Sequence, residues 1–216
     1  MKKTTQAAPL SWSSRKDQRL FESIRRELDI QNVLDSIPYS ADPIYRCPRS
    51  VLRDRKANCF DGALFAAAAL RHLGRPPLIM ELKAVRDDDH LLALFRRHGC
   101  WGAIAKSNCA GLRFREPIYR TIRELALSYF EFYFNVESEK TLRGYSVPVD
   151  LAGLDPDEWM FRDETMERIE NRIDRARHYA LVTPQMVKTL GKTDPRTYAA
   201  GMLGADDRGL YKPGAS

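Results

Sequence analysis

The sequence predicts an α+β fold in which a buried helix packs against an antiparallel sheet of at least three strands. Three observations support this prediction. The alanine-rich stretch from Cys59 to Leu73 has residues that favour a helix start and a helix end on either side of it. Short apolar runs of strand length follow the stretch, and a glycine separates the last two runs. With 216 residues, of which 44% are hydrophobic, the chain can bury a sizeable core.

The chain divides into three segments that we expect to form one compact unit. Residues 1–55 are predicted to hold an N-terminal helix and a connection, residues 56–182 the core with the helices that follow it, and residues 183–216 a C-terminal extension that is partly mobile. Apolar residues at helical spacing between Ser14 and Ile37 predict one amphipathic helix that ends before Pro38. The proline-rich stretch from there to Arg55 predicts an irregular connection.

The central helix has the clearest sequence signals. Asn58 is a favoured N-cap, and Gly74, followed by Pro76-Pro77, is a favoured stop. Its apolar residues cover most of the helix circumference, so we expect this helix to lie inside the protein.

The core strands are predicted at residues 78–85, 90–95 and 100–105. Gly99 suits a hairpin turn that needs a positive φ, so the last two strands are expected to be antiparallel neighbours. Further along, Pro117 to Phe134 and Asp163 to Tyr179 have helical periodicity and predict two more helices.

Composition limits the classes of function. The net charge of +6 comes from 35 basic residues interleaved with 29 acidic ones, so nucleic acid is an unlikely partner. The longest apolar run, Ala63 to Leu70, is too short for a membrane span, and no apolar stretch follows the positively charged segment Met1 to Gln6, which contains Lys2 and Lys3. Four cysteines are too sparse for a disulfide scaffold. These features predict a cytoplasmic protein with reduced thiols and no membrane contact.

Cys59 and His90 are the candidates for chemistry. A cysteine in the first turn of a helix lies near unpaired backbone N–H groups and the positive end of the helix dipole, which favour a thiolate. His90 opens a strand predicted to adjoin that helix, and the preceding Asp87-Asp88-Asp89 is expected to favour a charged imidazole ring. Asn108, at the end of the hairpin, is placed to orient the ring through its second nitrogen.

The motif from Asn58 to Ala66, with Leu73-Gly74 closing the helix, resembles the nucleophile helix of transglutaminase-like proteins. The resemblance covers about residues 55–110, and it implies a transglutaminase-like or papain-like fold with a catalytic order of Cys59, His90 and Asn108. It also implies cysteine-dependent acyl transfer on a protein, peptide or small amide substrate, without a cofactor. Asn108 stands where the family more often has Asp, and the family's aromatic residue after the histidine is absent. A non-catalytic binding module on the same fold therefore remains the alternative.

Other candidates are secondary. Trp101, Arg113 and Arg115 are candidate substrate-binding residues, and the arginines also leave open an anion- or nucleic-acid-binding protein. Cys100 and Cys109 lie near His98, but without a Cys-x-x-Cys pair we predict no metal site.

Overall fold

The computed structural model describes residues 14–212 and shows an α+β fold built on an open antiparallel sheet. The strands are β1 (Leu78–Ala84), β2 (His90–Arg97), β3 (Cys100–Ile104), β4 (Arg115–Tyr119), β5 (Leu142–Ser146), β6 (Val149–Asp150) and β7 (His178–Ala180). Their order across the sheet is β4-β3-β2-β1-β5-β7, and β6 pairs with β1. The predicted β2–β3 hairpin is confirmed: its two strands are antiparallel, and Gly99 has a φ of +80°.

Eight α-helices surround the sheet in the described part of the chain. They are α1 (Arg15–Ser23), α2 (Glu27–Asp35), α3 (Pro48–Asp54), α4 (Cys59–His72), α5 (Ile122–Leu127), α6 (Met166–Asp174), α7 (Pro184–Lys188) and α8 (Pro195–Gly201). Over residues 14–212, none of the helices has both the length and the apolar character that crossing a bilayer requires.

Both faces of the sheet are covered, which explains why its central strands are apolar along their length. Side chains of a strand alternate between faces. On β2, Leu91 and Phe95 belong to the core shared with α4, whereas Leu92 and Leu94 belong to the core on the other face of the sheet. A strand buried on both sides needs no polar alternation, so its sequence is a continuous apolar run.

Helix α4 lies inside the molecule, as its sequence predicts. Its residues from Phe60 to Leu70 are all buried. The helix also approaches the end of β3 closely, because a Cβ atom added at Gly62 would lie 2.3 Å from Cβ of Lys106. Lys106 is itself buried, and its ammonium donates hydrogen bonds to the carbonyls of Leu34, at 2.8 Å, and Ile37. A glycine at position 62 thus permits this approach.

The first predicted helix is two helices, because Asp29 caps a new helix start. Its carboxylate accepts hydrogen bonds from the backbone N–H of Arg25, at 2.9 Å, and of Arg26, at 3.0 Å. These bonds end α1 and begin α2, although the apolar spacing continues through the break. The following connection also contains α3, which begins at Pro48, a residue suited to the first helical position.

The helix predicted from Pro117 to Phe134 is wrong at both ends, because α5 covers only Ile122–Leu127. Residues 115–119 form β4, an edge strand paired with β3, where Ala103 faces Arg115 and Trp101 faces Tyr119. A proline is tolerated on such an edge because only one side of the strand pairs. The helix that follows, α5, begins after Thr121, whose hydroxyl caps it.

The last two predicted segments also differ in detail. Within the helix predicted from Asp163 to Tyr179, only α6 is α-helical, and β7 follows it. The predicted extension contains α7 and α8, and Gly201 at the end of α8 is buried against the ring of Phe134. Residues 1–13 of the first predicted segment and 213–216 of the last lie outside the described residues.

Candidate active site

Cys59 is the first residue of α4, and the helix start is fixed by a capping box. The Asn58 carboxamide oxygen accepts a hydrogen bond from the backbone N–H of Asp61 at 2.9 Å. In return, the Asp61 carboxylate accepts one from the backbone N–H of Asn58 at 3.3 Å. Two of the N–H groups at this helix start are thereby satisfied, and Cys59 is partly buried at its first position.

A buried ion-pair network also holds the start of α4. Asp61 is fully buried, and its carboxylate accepts a hydrogen bond from the backbone N–H of Arg46 at 2.7 Å. The guanidinium of Arg46, also buried, lies 3.4 Å from Asp61 and 3.0 Å from Asp54. Burial raises the pKa of Asp61 to about 6, and the bonds from Arg46 and Asn58 oppose that shift.

His90 is buried at the first position of β2 with its ring in a defined tautomer. Its Nε2 lies 2.8 Å from the carbonyl oxygen of Leu112, and since a carbonyl can only accept, Nε2 carries the proton. In the neutral ring, Nδ1 therefore has the free lone pair. The ring of Tyr133 lies edge-on at 6.4 Å between centroids, and the Tyr133 hydroxyl donates to the Asp88 carbonyl at 2.6 Å.

The Cys59 sulfur contacts the backbone on both sides of His90. Its S–H donates to the carbonyl of Asp89 at 3.7 Å, and the backbone N–H of Leu91 hydrogen-bonds to the sulfur. Cys59 and His90 also line the same two cavities. The structure thus brings the tip of the helix to the start of the adjoining strand.

Burial gives Cys59 and His90 protonation states that differ from those predicted from the sequence. It raises the pKa of the Cys59 thiol to about 11, although hydrogen bonds from the N–H groups of Leu91 and Phe60 oppose the shift. It lowers the pKa of His90 to about 4. The helix start was expected to favour a thiolate and the aspartates a charged ring, but desolvation outweighs both effects. At neutral pH the two groups are therefore an uncharged thiol and an uncharged imidazole.

The aspartate run serves mainly to shape the turn before β2. The Asp87 carboxylate accepts a hydrogen bond from the Thr141 hydroxyl at 2.7 Å, and the Asp89 carboxylate accepts one from the backbone N–H of Ala84 at 2.8 Å. Asp88 is exposed and lines both cavities. Asp89 lines both cavities as well, but its carboxylate is bonded to the backbone of Ala84, so Asp88 is the most exposed carboxylate of the run.

The larger cavity is an acidic cleft of about 520 Å³. Carboxylates dominate its lining, although the whole chain carries a net charge of +6. The only Lys or Arg among the described lining residues is Arg208. The acidic lining residues are Asp42, Glu81, Asp88, Asp89, Glu170 and Asp174. Asp42, Glu81 and Asp89 are paired with Lys56, His178 and Lys83. The carboxylates of Asp88, Glu170 and Asp174 therefore supply most of the negative potential, which favours cationic groups.

Asn108 lines the smaller cavity, of about 60 Å³, together with Cys59 and His90. Both ends of its carboxamide are bonded to the backbone of Asp206: Nδ2 donates to the carbonyl at 2.8 Å, and Oδ1 accepts from the N–H at 2.8 Å. The hydrogen bond that orients the His90 ring goes to the Leu112 carbonyl instead. The predicted triad residue is thus at the site, but it holds the C-terminal segment.

Trp101, Arg113 and Arg115 do not line either of these two cavities. Arg96 lies over the Trp101 ring, 5.1 Å from its centroid, and Arg113 pairs with Asp35 at 3.2 Å. The Arg115 guanidinium donates to the Gly111 carbonyl at 2.7 Å and lies over the Tyr129 ring. These three side chains are engaged by the protein itself.

Several site features have no local signal in the sequence. Tyr39 lines both cavities from the connection before α3, and burial raises its pKa. Glu81, on β1, is buried and accepts a hydrogen bond from His178 at 2.7 Å. Leu112 lines the smaller cavity, and its backbone carbonyl accepts the hydrogen bond from His90. Contacts between residues so distant in sequence depend on how the strands pair, which periodicity does not reveal.

Comparison with known proteins assigns the chain to no family. No protein-family model matches the sequence, and no curated protein matches it. Over residues 14–212, no group of three or more His, Cys, Asp or Glu side chains is arranged to hold a metal ion.

Proposed function

We propose that this chain is a cysteine-dependent acyl-transfer enzyme with a transglutaminase-like site, in which Cys59 is the nucleophile and His90 the general base. The observation that carries the proposal is the position of the Cys59 sulfur. It contacts the backbone on both sides of His90 in a cleft large enough for a side chain or short peptide. Nucleophile and base on facing elements, with the base fixed by a further hydrogen bond, are the arrangement that such catalysis needs.

The reaction begins from the uncharged pair. As the sulfur attacks the carbonyl carbon of an amide or ester, its proton passes to Nδ1 of His90. The resulting imidazolium gives that proton to the leaving amine or alcohol, and a thioester on Cys59 remains. Water or an amine then attacks the thioester, again with His90 as base. The Leu112 carbonyl keeps Nε2 protonated throughout and so orients the ring, while the backbone N–H of Cys59, free at the helix start, is available to the oxyanion.

The charge of the cleft supports a protein, peptide or small amide substrate with a cationic group rather than an anionic one. A phosphate or carboxylate next to Cys59 would face Asp88 and Asp89, and repulsion between like charges would weaken its binding. This argues against the alternative of an anion- or nucleic-acid-binding protein at this cleft.

A non-catalytic binding module is the second candidate function. The specific observation in its favour is the high pKa of Cys59, because an uncharged thiol is a weak nucleophile unless a base removes its proton. The two candidates share the cleft and differ only in whether Cys59 becomes acylated.

Acylation by p-nitrophenyl acetate separates these candidates. The protein is incubated with the ester at pH 7.5, and acetyl groups are located by peptide mass spectrometry. We expect Cys59 to be acetylated in the unchanged protein, and about 10²-fold or more slowly in His90→Gln. Cys100→Ala is the matched control, in which Cys59 should be acetylated as fast as in the unchanged protein. Cys100 is also partly exposed, but it lies at the start of β3.

Equal acetylation of Cys59 in the unchanged protein and in His90→Gln would contradict the proposal. Acetyl groups distributed evenly over Cys59, Cys100 and Cys109 would contradict it as well, since a catalytic thiol must react selectively.

A further inference from the structure

The C-terminal residues 206–212, which we call the strap, lie over the candidate active site. Gly209, Leu210 and Tyr211 line both cavities that Cys59 and His90 line. These three strap residues are partly buried, unlike Arg208 and Lys212 on either side of them. A ligand that fills the cleft would therefore meet the strap as well as the Cys59 sulfur.

Within the described residues, Asn108 supplies the side-chain hydrogen bonds that tie the strap to the rest of the protein. The Asn108 carboxamide makes its pair of 2.8 Å hydrogen bonds to the Asp206 backbone, much as a neighbouring strand would. At Gly209 the chain runs against Tyr39, because an added Cβ atom would lie 2.8 Å from Cε1 of Tyr39 and 3.1 Å from Nδ2 of Asn108. The strap's own ion pair, between Arg208 and Asp206, stays inside it.

The segment before the strap contrasts with it, because it is anchored firmly. Gly201, at the end of α8, is buried against Phe134, whose ring also contacts Tyr198 at 5.3 Å between centroids. A turn with Gly204 at a φ of +76° then leads from α8 into the strap. A glycine next to a fixed helix is a suitable place for the strap to swing.

We propose that the strap is an autoinhibitory cover that forms part of the cleft wall, limits access to Cys59, and swings away when substrate binds. The inference rests on the proposed function, because it concerns regulation of that same site. Charge does not hold the strap in the cleft, because Arg208 lines the cleft but its guanidinium is paired with Asp206 of the strap itself. A segment held mainly through one carboxamide opens far more easily than the helices beneath it.

The test measures access to Cys59 in full-length variants. Gly209→Val places a branched side chain against Tyr39 and Asn108, whereas the control Gly191→Val has no atom within 4 Å of its new Cβ. We expect iodoacetamide at pH 8 to alkylate Cys59 about tenfold faster in Gly209→Val than in the unchanged protein, with Gly191→Val within about twofold. The buried Cys47 must stay unreactive, which shows that the variant is folded.

A second variant keeps the test decisive should Gly209→Val unfold. Asn108→Leu has nearly the same side-chain size but loses both bonds to Asp206, and it should likewise speed alkylation of Cys59. Adding a synthetic peptide of residues 206–216 to either folded variant should slow alkylation again. If the rate of Cys59 alkylation is the same in both folded variants as in the unchanged protein, the proposal that the strap covers the site is wrong.

The readout separates this inference from the proposed function, because alkylation reports access and needs no catalysis. If Cys59 is alkylated faster in the strap variants but is not acetylated by p-nitrophenyl acetate, the strap is a cover and the protein is not the proposed enzyme. Acetylation that requires His90, with unaltered alkylation in the strap variants, would retain the enzyme and reject the cover.

Discussion

The two sides of the cleft are built in different ways. One side, which we call the fixed wall, consists of the start of α4 and the start of β2, at residues 58–61 and 89–91. It is held by the capping box of Asn58 and by the buried pair of Arg46 and Asp61. Another part of the lining is the strap, held mainly by Asn108. The difference is that Cys59 and His90 lie on the firmly held side, so the proposed chemistry would belong to the fixed wall and the proposed control of access to the strap.

Breaking the fixed wall should have the largest effect on stability. Arg46→Leu leaves the Asp61 carboxylate buried without its charged partner, and we expect it to cost about 3–5 kcal/mol in the free energy of unfolding. Urea denaturation followed by circular dichroism measures the loss. Arg53→Leu is the matched control, because Arg53 is 63% exposed and its loss should change stability by at most about 0.5 kcal/mol. Equal stabilities of these two variants would mean that the buried pair does not hold the helix start.

The pH dependence of stability should reveal His90 in the fixed wall. Its pKa is lowered to about 4 in the folded protein, so between pH 4 and 6.5 the unfolded chain binds more protons than the folded one. The contribution of His90 to the free energy of unfolding is therefore fully present above pH 6.5. About 2–3 kcal/mol of it is lost as the pH falls to 4. Asp61 and Asp87, whose pKa values burial raises to about 6, act in the opposite direction.

A variant isolates the histidine from those carboxylates. His90→Gln retains them, so the difference between the two pH profiles of unfolding free energy belongs to His90. The unchanged protein should lose more stability on acidification than His90→Gln. Parallel profiles for the two proteins would show that His90 titrates normally in the folded state.

Adding one methyl group at Gly62 and, separately, at Gly209 compares how firmly the two parts of the cleft are held. Gly62→Ala, in α4 directly after the fixed wall, forces a Cβ to within 2.3 Å of Lys106 Cβ, and we expect a loss of about 1–3 kcal/mol despite the better helix propensity of alanine. Gly209→Ala, in the strap, also meets close neighbours, but the strap can shift, so its loss should stay below about 1 kcal/mol. Thermal unfolding of both variants measures the contrast. A larger loss for Gly209→Ala would place the rigid side of the cleft at the strap.

The fixed wall was predictable from sequence because its signals are local. The Asn58 cap, the alanine-rich helix and the Gly99 turn each act within a few residues, and together they place Cys59 at a helix start and His90 at a strand start. The Leu112 carbonyl and the Asn108–Asp206 contact join residues up to 98 positions apart, so no local pattern indicates them. The charge state of the pair was also missed, because burial, which decides it, is a property of the folded chain.

The central claim is that the Cys59 sulfur and the His90 ring form an uncharged pair, and nitrogen NMR of the histidine rings tests it most directly. We predict that His90 keeps its proton on Nε2 at pH 7 and titrates near pH 4. We also predict that its ring nitrogen signals move in Cys59→Ser but not in Cys100→Ser. A His90 ring that titrates near its ordinary value of about 6.5, with signals indifferent to Cys59→Ser, would contradict the account.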